Sequence, residues 1–387
     1  MAKDRDNFQI APTARILTPD AAGAACLERC LRDQASFRSS PLADTPLQKK
    51  PDNPQRVFCE SSGSSGAPKL IRRSPASWLD SFDINETLFG ISPQDTYAVF
   101  GHLGHSLSLF AAVEAMHLGC RLAILSGQTP ARQAQALRQH GATMIYATPS
   151  QLRLVISADP NPFAEIRSII CGGGTLDSAL RKMLADRFPS ARVLEFFGAS
   201  ETSFISLSDD QTPLGSVGRP YPGVEIRIGD GCAPGETGEI WVKSPYLFEG
   251  YEEGNSALTN WDGGFLSVGE MGQIDNNGYL YLRGRRSRMV TVADQNVFPE
   301  AIEAVLLAQD GVEAAAVLAL TDPRRGHRIV AAIQGGAADA ALRRACRAAL
   351  GDAAVPREIR RLSQMPLLPA GKPDLQRLES MWPESSV

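Results

Sequence analysis

The stretch Ser61-Ser62-Gly63-Ser64-Ser65-Gly66-Ala67-Pro68-Lys69 gathers small residues, hydroxyls and one cation between the apolar runs Val57-Phe58-Cys59 and Leu70-Ile71. That chemistry suits an anion. Small side chains let backbone N–H groups approach a phosphate, hydroxyls donate hydrogen bonds, and Lys69 adds charge. The pattern is not G-x-x-x-x-G-K-[ST], because Pro68 stands where the second Gly belongs. On its own residues the stretch reads equally as a phosphate cradle or a flexible Ser/Gly linker. No other local cluster competes with it. The seven cysteines are scattered without a CxxC pair. Cys26 and Cys30, the closest two, have no histidines beside them, so no zinc pattern is present and reduced thiols are expected.

An anion loop needs elements to hold it. From Arg56 to Glu201, apolar runs of strand length (Tyr97–Phe100, Leu122–Leu125, Met144–Tyr146, Ser168–Cys171, Val193–Phe197) alternate with helix-like stretches (75–89, 107–118, 131–140, 151–156, 178–188). This alternation predicts a largely parallel sheet covered on both faces. Between about residues 215 and 285 the texture shifts to glycines, aromatics and short alternating runs such as Glu239-Ile240-Trp241-Val242, which predicts a small β-rich barrel or subdomain. From about Ser287 a mixed unit begins, with a helix at 299–307, strands at 314–319 and 328–333, and a helix at 340–350. Before residue 56 the pattern is weak: one helix is expected across Thr18–Phe37 with Thr18 as its cap, and a loop around Lys49–Pro54.

The order of further motifs decides the loop. Gly172-Gly173-Gly174 ends a strand. Phe196-Phe197-Gly198-Ala199-Ser200-Glu201 follows, then Gly238-Glu239-Ile240-Trp241-Val242 through Gly250-Tyr251, then Gly264-Phe265-Leu266-Ser267-Val268-Gly269-Glu270. Gly284-Arg285 and Asn296-Val297-Phe298-Pro299-Glu300 come next, and Pro366-Leu367-Leu368-Pro369-Ala370-Gly371-Lys372 comes last. Together with Ser61–Lys69, this series resembles the signatures of the adenylate-forming superfamily of acyl-CoA synthetases, luciferases and peptide-synthetase adenylation domains. The resemblance covers about residues 56–380.

The resemblance implies that ATP and a carboxylic acid give acyl-AMP and pyrophosphate, and that the acyl group then passes to a thiol, CoA or the phosphopantetheine of an acyl carrier protein. Two anions meet in the first step, so positive charge and Mg²⁺ must offset their repulsion. By the same resemblance Ser61, Ser62, Gly63, Ser64, Ser65, Gly66 and Lys69 hold phosphates, and Gly172, Gly173 and Gly174 flank the adenine. Phe197 stacks on the adenine beside Gly198, and Ser200 keeps the hydroxyl of the usual Thr. Glu201 is the metal carboxylate, Glu270 and Arg285 serve the ribose and phosphates, and Lys372 contacts carboxylate and phosphate oxygens during adenylation. His105 and Gly198 border the acyl pocket, with pocket and structural roles for His105 evenly weighed. Ser287 is the hinge.

The implied fold is α/β: a layered parallel-sheet large domain over residues 1–286, its β-rich part at about 215–285, and a small mobile α+β domain over 287–387. Three departures stand out. Glu270 replaces the usual Asp, lengthening the arm by one methylene. Many CoA ligases have Gly at the place of Ala293 or of Asp294, where the pantetheine arm passes close to the backbone. The loop comes only about sixty residues in, so a reduced first sheet is expected, with a homodimer as one way to cover its edges. These departures keep two alternatives open: a ligase that serves a carrier protein or an amine, and a non-catalytic nucleotide-binding relative. Net charge is −4 with a pI near 5.8, which argues against a nucleic-acid binder. With no apolar signal core and no run of membrane-span length, a cytoplasmic location and no membrane partner are expected.

Overall fold

A computed structural model describes residues 5–41, 43–61, 68–174, 176–229, 231–293, 295–322, 326–367 and 373–382. Its centre is an eight-stranded sheet in the order Arg15–Ile16, Arg121–Ile124, Thr96–Val99, Met144–Ala147, Ser168–Cys171, Arg192–Ala199, Ser203–Leu207, Arg219–Pro220. The first six strands are parallel and the last two antiparallel. Side chains alternate across it, as the pleat requires. Tyr97, Val99, Leu122, Ile124 and Tyr146 pack with helices Ala76–Leu88 and Ser106–His117 on one face. Ala98, Phe100, Ala123, Leu125 and Ile145 pack with helices Pro130–Gln139, Pro149–Ala158 and Ser178–Arg187 on the other. Burial on both faces explains why these strands read as unbroken apolar runs.

A five-stranded sheet lies beside it, ordered Gly250–Glu253, Lys69–Arg73, Val57–Ser61, Ser36–Ser39, Leu47–Lys50. The expected helix over Thr18–Phe37 is corrected here. It spans only Ala24–Arg32, and Ser36–Ser39 is a strand. Gly23, at φ 86°, sets the start, and Thr18 spends its hydroxyl accepting from Ile124 N at 2.8 Å instead of capping. The stretch expected as a loop from Lys49 begins within the edge strand Leu47–Lys50.

The β-rich part is a six-stranded antiparallel sheet from Glu225–Ile228 to Leu280–Arg285. Past it, a hairpin (Val290–Val292 with Gln295–Val297) precedes a three-stranded sheet of Val312–Asp322, Gly326–Gly335 and Glu358–Leu362. Separate apolar clusters, around Ile302 and Leu342 and around Leu378 and Trp382, cover its two faces. Among the described residues no helix is long and apolar enough to cross a membrane.

Candidate active site

The strands Val57–Ser61 and Lys69–Arg73 form an antiparallel hairpin that closes with Ser61 opposite Lys69. Ser62, Gly63, Ser64, Ser65 and Gly66 lie outside the described residues, as do Asp294 and Lys372. At the closed end of the hairpin, the Lys69 ammonium stands 5.8 Å from the centroid of the Tyr251 ring. The Tyr251 hydroxyl donates to Glu201 Oε1 at 2.9 Å and lies 2.8 Å from Thr259 Oγ1. Burial, and next the Glu201 carboxylate, push the Tyr251 pKa up, so the phenol keeps its proton. Lys69 and Glu201 thus converge on one aromatic ring from distant parts of the chain.

Glu201 sits in the turn between strands Arg192–Ala199 and Ser203–Leu207. The sequence makes that turn tight. A Cβ on Gly198 would fall 2.0 Å from Ser203 O, so no side chain fits there. Thr202 closes the turn, its N–H donating to Ala199 O at 3.1 Å and its Oγ1 accepting from Ala199 N at 3.0 Å. Ser203 follows at φ 56°, the left-handed region that a residue with a Cβ rarely adopts. Phe248 N donates to Glu201 O at 2.9 Å. Arg73, 1% exposed, donates to Ser200 O at 2.5 Å, to Ser203 Oγ at 2.7 Å and to Tyr246 O.

Ser200 Oγ lies 2.8 Å from Ser106 Oγ, at the start of the helix that His105 precedes. This brings His105 to the same end of the sheet as Glu201. Burial, and next the neighbouring His102, lower the His105 pKa, so the ring is neutral at pH 7. The segment is fixed by backbone contact: a Cβ on Gly104 would meet Ser40 O at 2.2 Å.

Gly172, Gly173 and Gly174 follow strand Ser168–Cys171, beside Arg192–Ala199. The ring against Gly172 is that of Phe196, 2.3 Å from where a Cβ would stand. Phe197, the expected stacking ring, is half-buried against the core. Glu270 and Arg285 face each other across adjacent strands and form a 3.0 Å ion pair. They lie near the Tyr251–Glu201 contact: Thr259 touches Tyr251, and Leu258 packs against Gly269.

Ser287 is exposed in a turn where Arg288 N and Met289 N both donate to Arg285 O. Arg286 reaches back to Glu239 at 3.1 Å. Arg288 reaches forward to Glu303 at 2.9 Å, Glu300 at 3.4 Å and Val317 O at 2.8 Å. The residues on either side of Ser287 are therefore anchored in opposite directions.

Mg²⁺ binds through one or two carboxylates together with phosphate oxygens and water. Among the described residues there is no group of three or more His, Cys, Asp or Glu side chains that would hold a metal alone. Glu201 fits the shared arrangement, since the Tyr251 contact engages only Oε1.

Sequence reasoning missed two groups. One is Arg73. Its signal was an arginine two places along a strand from buried Ile71, a position that alternation turns inward. The other is Glu114, fully buried on helix Ser106–His117, where it accepts from Asn85 Nδ2 at 2.7 Å, Tyr97 OH at 3.0 Å and Tyr146 OH at 2.6 Å. Burial raises its pKa to about 7 against the pull of those three donors.

Comparison with known proteins agrees with this layout. Residues 9–252 match the family model described as AMP-binding enzyme, and residues 301–372 match the AMP-binding enzyme C-terminal domain. An uncharacterized acyl–CoA ligase, YhfT of Bacillus subtilis (strain 168), is 33% identical over 378 residues, covering 96% of this chain and 76% of the relative. The amide bond synthetase McbA from Marinactinospora thermotolerans superposes with a TM-score of 0.76 at 25% identity, over 96% of this chain and 79% of that one. The o-succinylbenzoate CoA synthetase MenE from Bacillus subtilis, in complex with its acyl-adenylate intermediate, gives 0.74 at 26% identity, over 86% and 70%. With the matched family models spanning both the 57–73 hairpin and the small C-terminal unit, the chain belongs to the AMP-binding enzyme family.

Proposed function

We propose that this protein converts a carboxylic acid and ATP to acyl-AMP and pyrophosphate, then transfers the acyl group to the thiol of CoA. In the first step a carboxylate oxygen bonds to the α-phosphorus and the bond to the β-phosphate bridge breaks, releasing pyrophosphate. In the second the thiolate sulfur bonds to the acyl carbon and AMP leaves. The observation that carries this reading is the convergence of Lys69 and Glu201 on Tyr251 at the closed end of the 57–73 hairpin.

Lys69, Ser61 and the loop between them would draw the phosphates. Glu201 would hold Mg²⁺, which supplies positive charge where the two anions meet. Glu270 and Arg285 would take the ribose side, and Lys372, a compact point charge, the reacting oxygens. Phe197 and the Gly172–Gly174 run would border the adenine, and His105 with Gly198 the acid. The unit to about residue 286 and the unit from 287 would turn about Ser287 between the two steps, its flanking arginines staying with their own units.

A cavity of about 270 Å³ beside the 290–297 hairpin supports CoA as acceptor. Its lining includes Val292, Asp322, His327, Arg328 and Arg357, and the cationic edge suits the phosphates of CoA. One observation favours a second reading. Ala293 holds φ 47° at the turn of the 290–297 hairpin, so a methyl group stands at the turn that the resemblance puts beside the thiol arm. An amine acceptor is the alternative, in line with the likeness to McbA, an amide bond synthetase; a carrier protein is another. The test is a panel of acids with ATP and Mg²⁺, run with CoA, with amines, and with neither. Mass detection of acyl-CoA supports the main reading, amide formation alone the second, and no acyl-AMP with any acid rejects both.

A further inference from the structure

We propose that Arg73 is a positioning residue for adenylation: it ties the far end of the phosphate-loop hairpin to the backbone of the Glu201 turn and so fixes where the metal carboxylate stands. The inference rests on the reading of Glu201 given above. Arg73 shares its strand with Lys69, four residues and roughly 13 Å away along an extended chain. Its guanidinium bridges three elements, holding Ser200 O and Ser203 Oγ in the turn and Tyr246 O ahead of strand Gly250–Glu253. Ser200 immediately precedes Glu201, and Phe248, two residues past Tyr246, donates to Glu201 O. Arg73 therefore sets the backbone on both sides of the carboxylate.

Three features separate this from ordinary packing. The guanidinium is buried without a carboxylate at ion-pair distance among the described residues, and its Nε has no partner there. A buried cation without an ion-pair partner is costly, and here the guanidinium directs its hydrogen bonds to Ser200, Ser203 and Tyr246 around the Glu201 turn. Ser203, which accepts from Arg73, holds the positive φ, and such strain persists only where surrounding contacts over-determine it. Gly198 leaves no room for the turn to relax inward. Burial lowers the pKa of Arg73 to about 10, so it remains charged at neutral pH.

The experiment compares wild type with R73K, R73M and S203A. One readout is acid-dependent ATP–pyrophosphate exchange against Mg²⁺ concentration. The other is the shift in unfolding temperature caused by MgATP relative to ATP with EDTA. R73M should lose about 100-fold in exchange rate, and R73K about tenfold, because misplacement near 1 Å has effects of that size. S203A should lose a few-fold. In R73K and S203A the Mg²⁺ half-saturation should rise and the extra thermal shift from MgATP should shrink, while KM for the acid stays within about twofold. R73K restores one charge but not the three-way fork, so partial rescue over R73M is expected. If R73K and S203A only lower the unfolding temperature, with unchanged Mg²⁺ dependence, exchange rate and MgATP shift, Arg73 is structural and the inference is overturned. If wild type shows no exchange with any acid and no MgATP-specific shift, the functional reading fails and takes this inference with it.

Discussion

The Glu201 turn and the Arg285–Val297 junction are held in opposite styles. The turn is locked from every side: Gly198 against Ser203 O, Thr202 across its own loop, Phe248 on the carbonyl, Tyr251 on the carboxylate and Arg73 beneath. The junction is exposed at Ser287, and its arginines divide their loyalties between the six-stranded sheet and the helix Pro299–Leu307. A phosphoryl-level step gains from fixed charges, which need no reorganisation during reaction. A second step at the same place, with a different nucleophile, needs something to move away. On the proposed function, rigidity and freedom are each placed where one half-reaction requires them.

The largest expected effects come from removing the charges proposed for the first half-reaction. Lys372→Ala and Glu201→Gln should each lower acid-dependent pyrophosphate exchange by about 100-fold or more, with circular dichroism and unfolding temperature near wild type. A loss confined to stability would remove these residues from the reaction. Next comes the mobile side. Arg357→Ala, in the lining of the cavity beside the 290–297 hairpin, should raise KM for CoA about tenfold, the effect of losing one charged hydrogen bond to a phosphate, and leave pyrophosphate exchange unchanged. An equal loss in both assays would place Arg357 outside the acceptor path. Ala293→Gly is smaller. It removes a Cβ from a left-handed position, so stability should change by less than about 1 kcal/mol. A lower KM for CoA would favour the thiol acceptor, and an unchanged one the amine.

The smallest effect concerns the core behind the turn. Glu114 has a folded pKa of about 7, raised by burial above its ordinary 4.5. The folded state thus holds a proton that the unfolded chain releases. Stability from this group is complete below about pH 4.5 and declines as pH rises through about 7. Wild type should lose unfolding temperature across that window, and E114Q should flatten the loss. A parallel slope in both proteins would show that Glu114 does not titrate there.

How much of this was legible follows from the range of each interaction. The strands of the eight-stranded sheet announced themselves, because burial on both faces writes a continuous apolar run such as Tyr97-Ala98-Val99-Phe100 into neighbouring positions. The front was misread because Gly23 and a contact between Thr18 and Ile124, 106 residues apart, override local helix signals. Arg73 and Glu114 were missed for the same reason. Their partners lie on other elements, such as Ser200 for Arg73 and Tyr146 for Glu114, and no local pattern encodes such pairs. Phe196 packs on Gly172, where a Cβ would fall 2.3 Å from its ring, a contact that motif order does not specify. The juxtaposition of Lys69 with Glu201 was anticipated only through the order of motifs, and their meeting at Tyr251 belongs to the folded chain alone.

The central claim is that this site makes an acyl-adenylate. Acid-dependent exchange of labelled pyrophosphate into ATP, without CoA and across a broad acid panel, tests it most directly. The expected result is exchange that requires both an acid and Mg²⁺ and disappears in Glu201→Gln. Exchange absent with every acid in folded wild-type protein, or retained at full rate in Glu201→Gln, would contradict it.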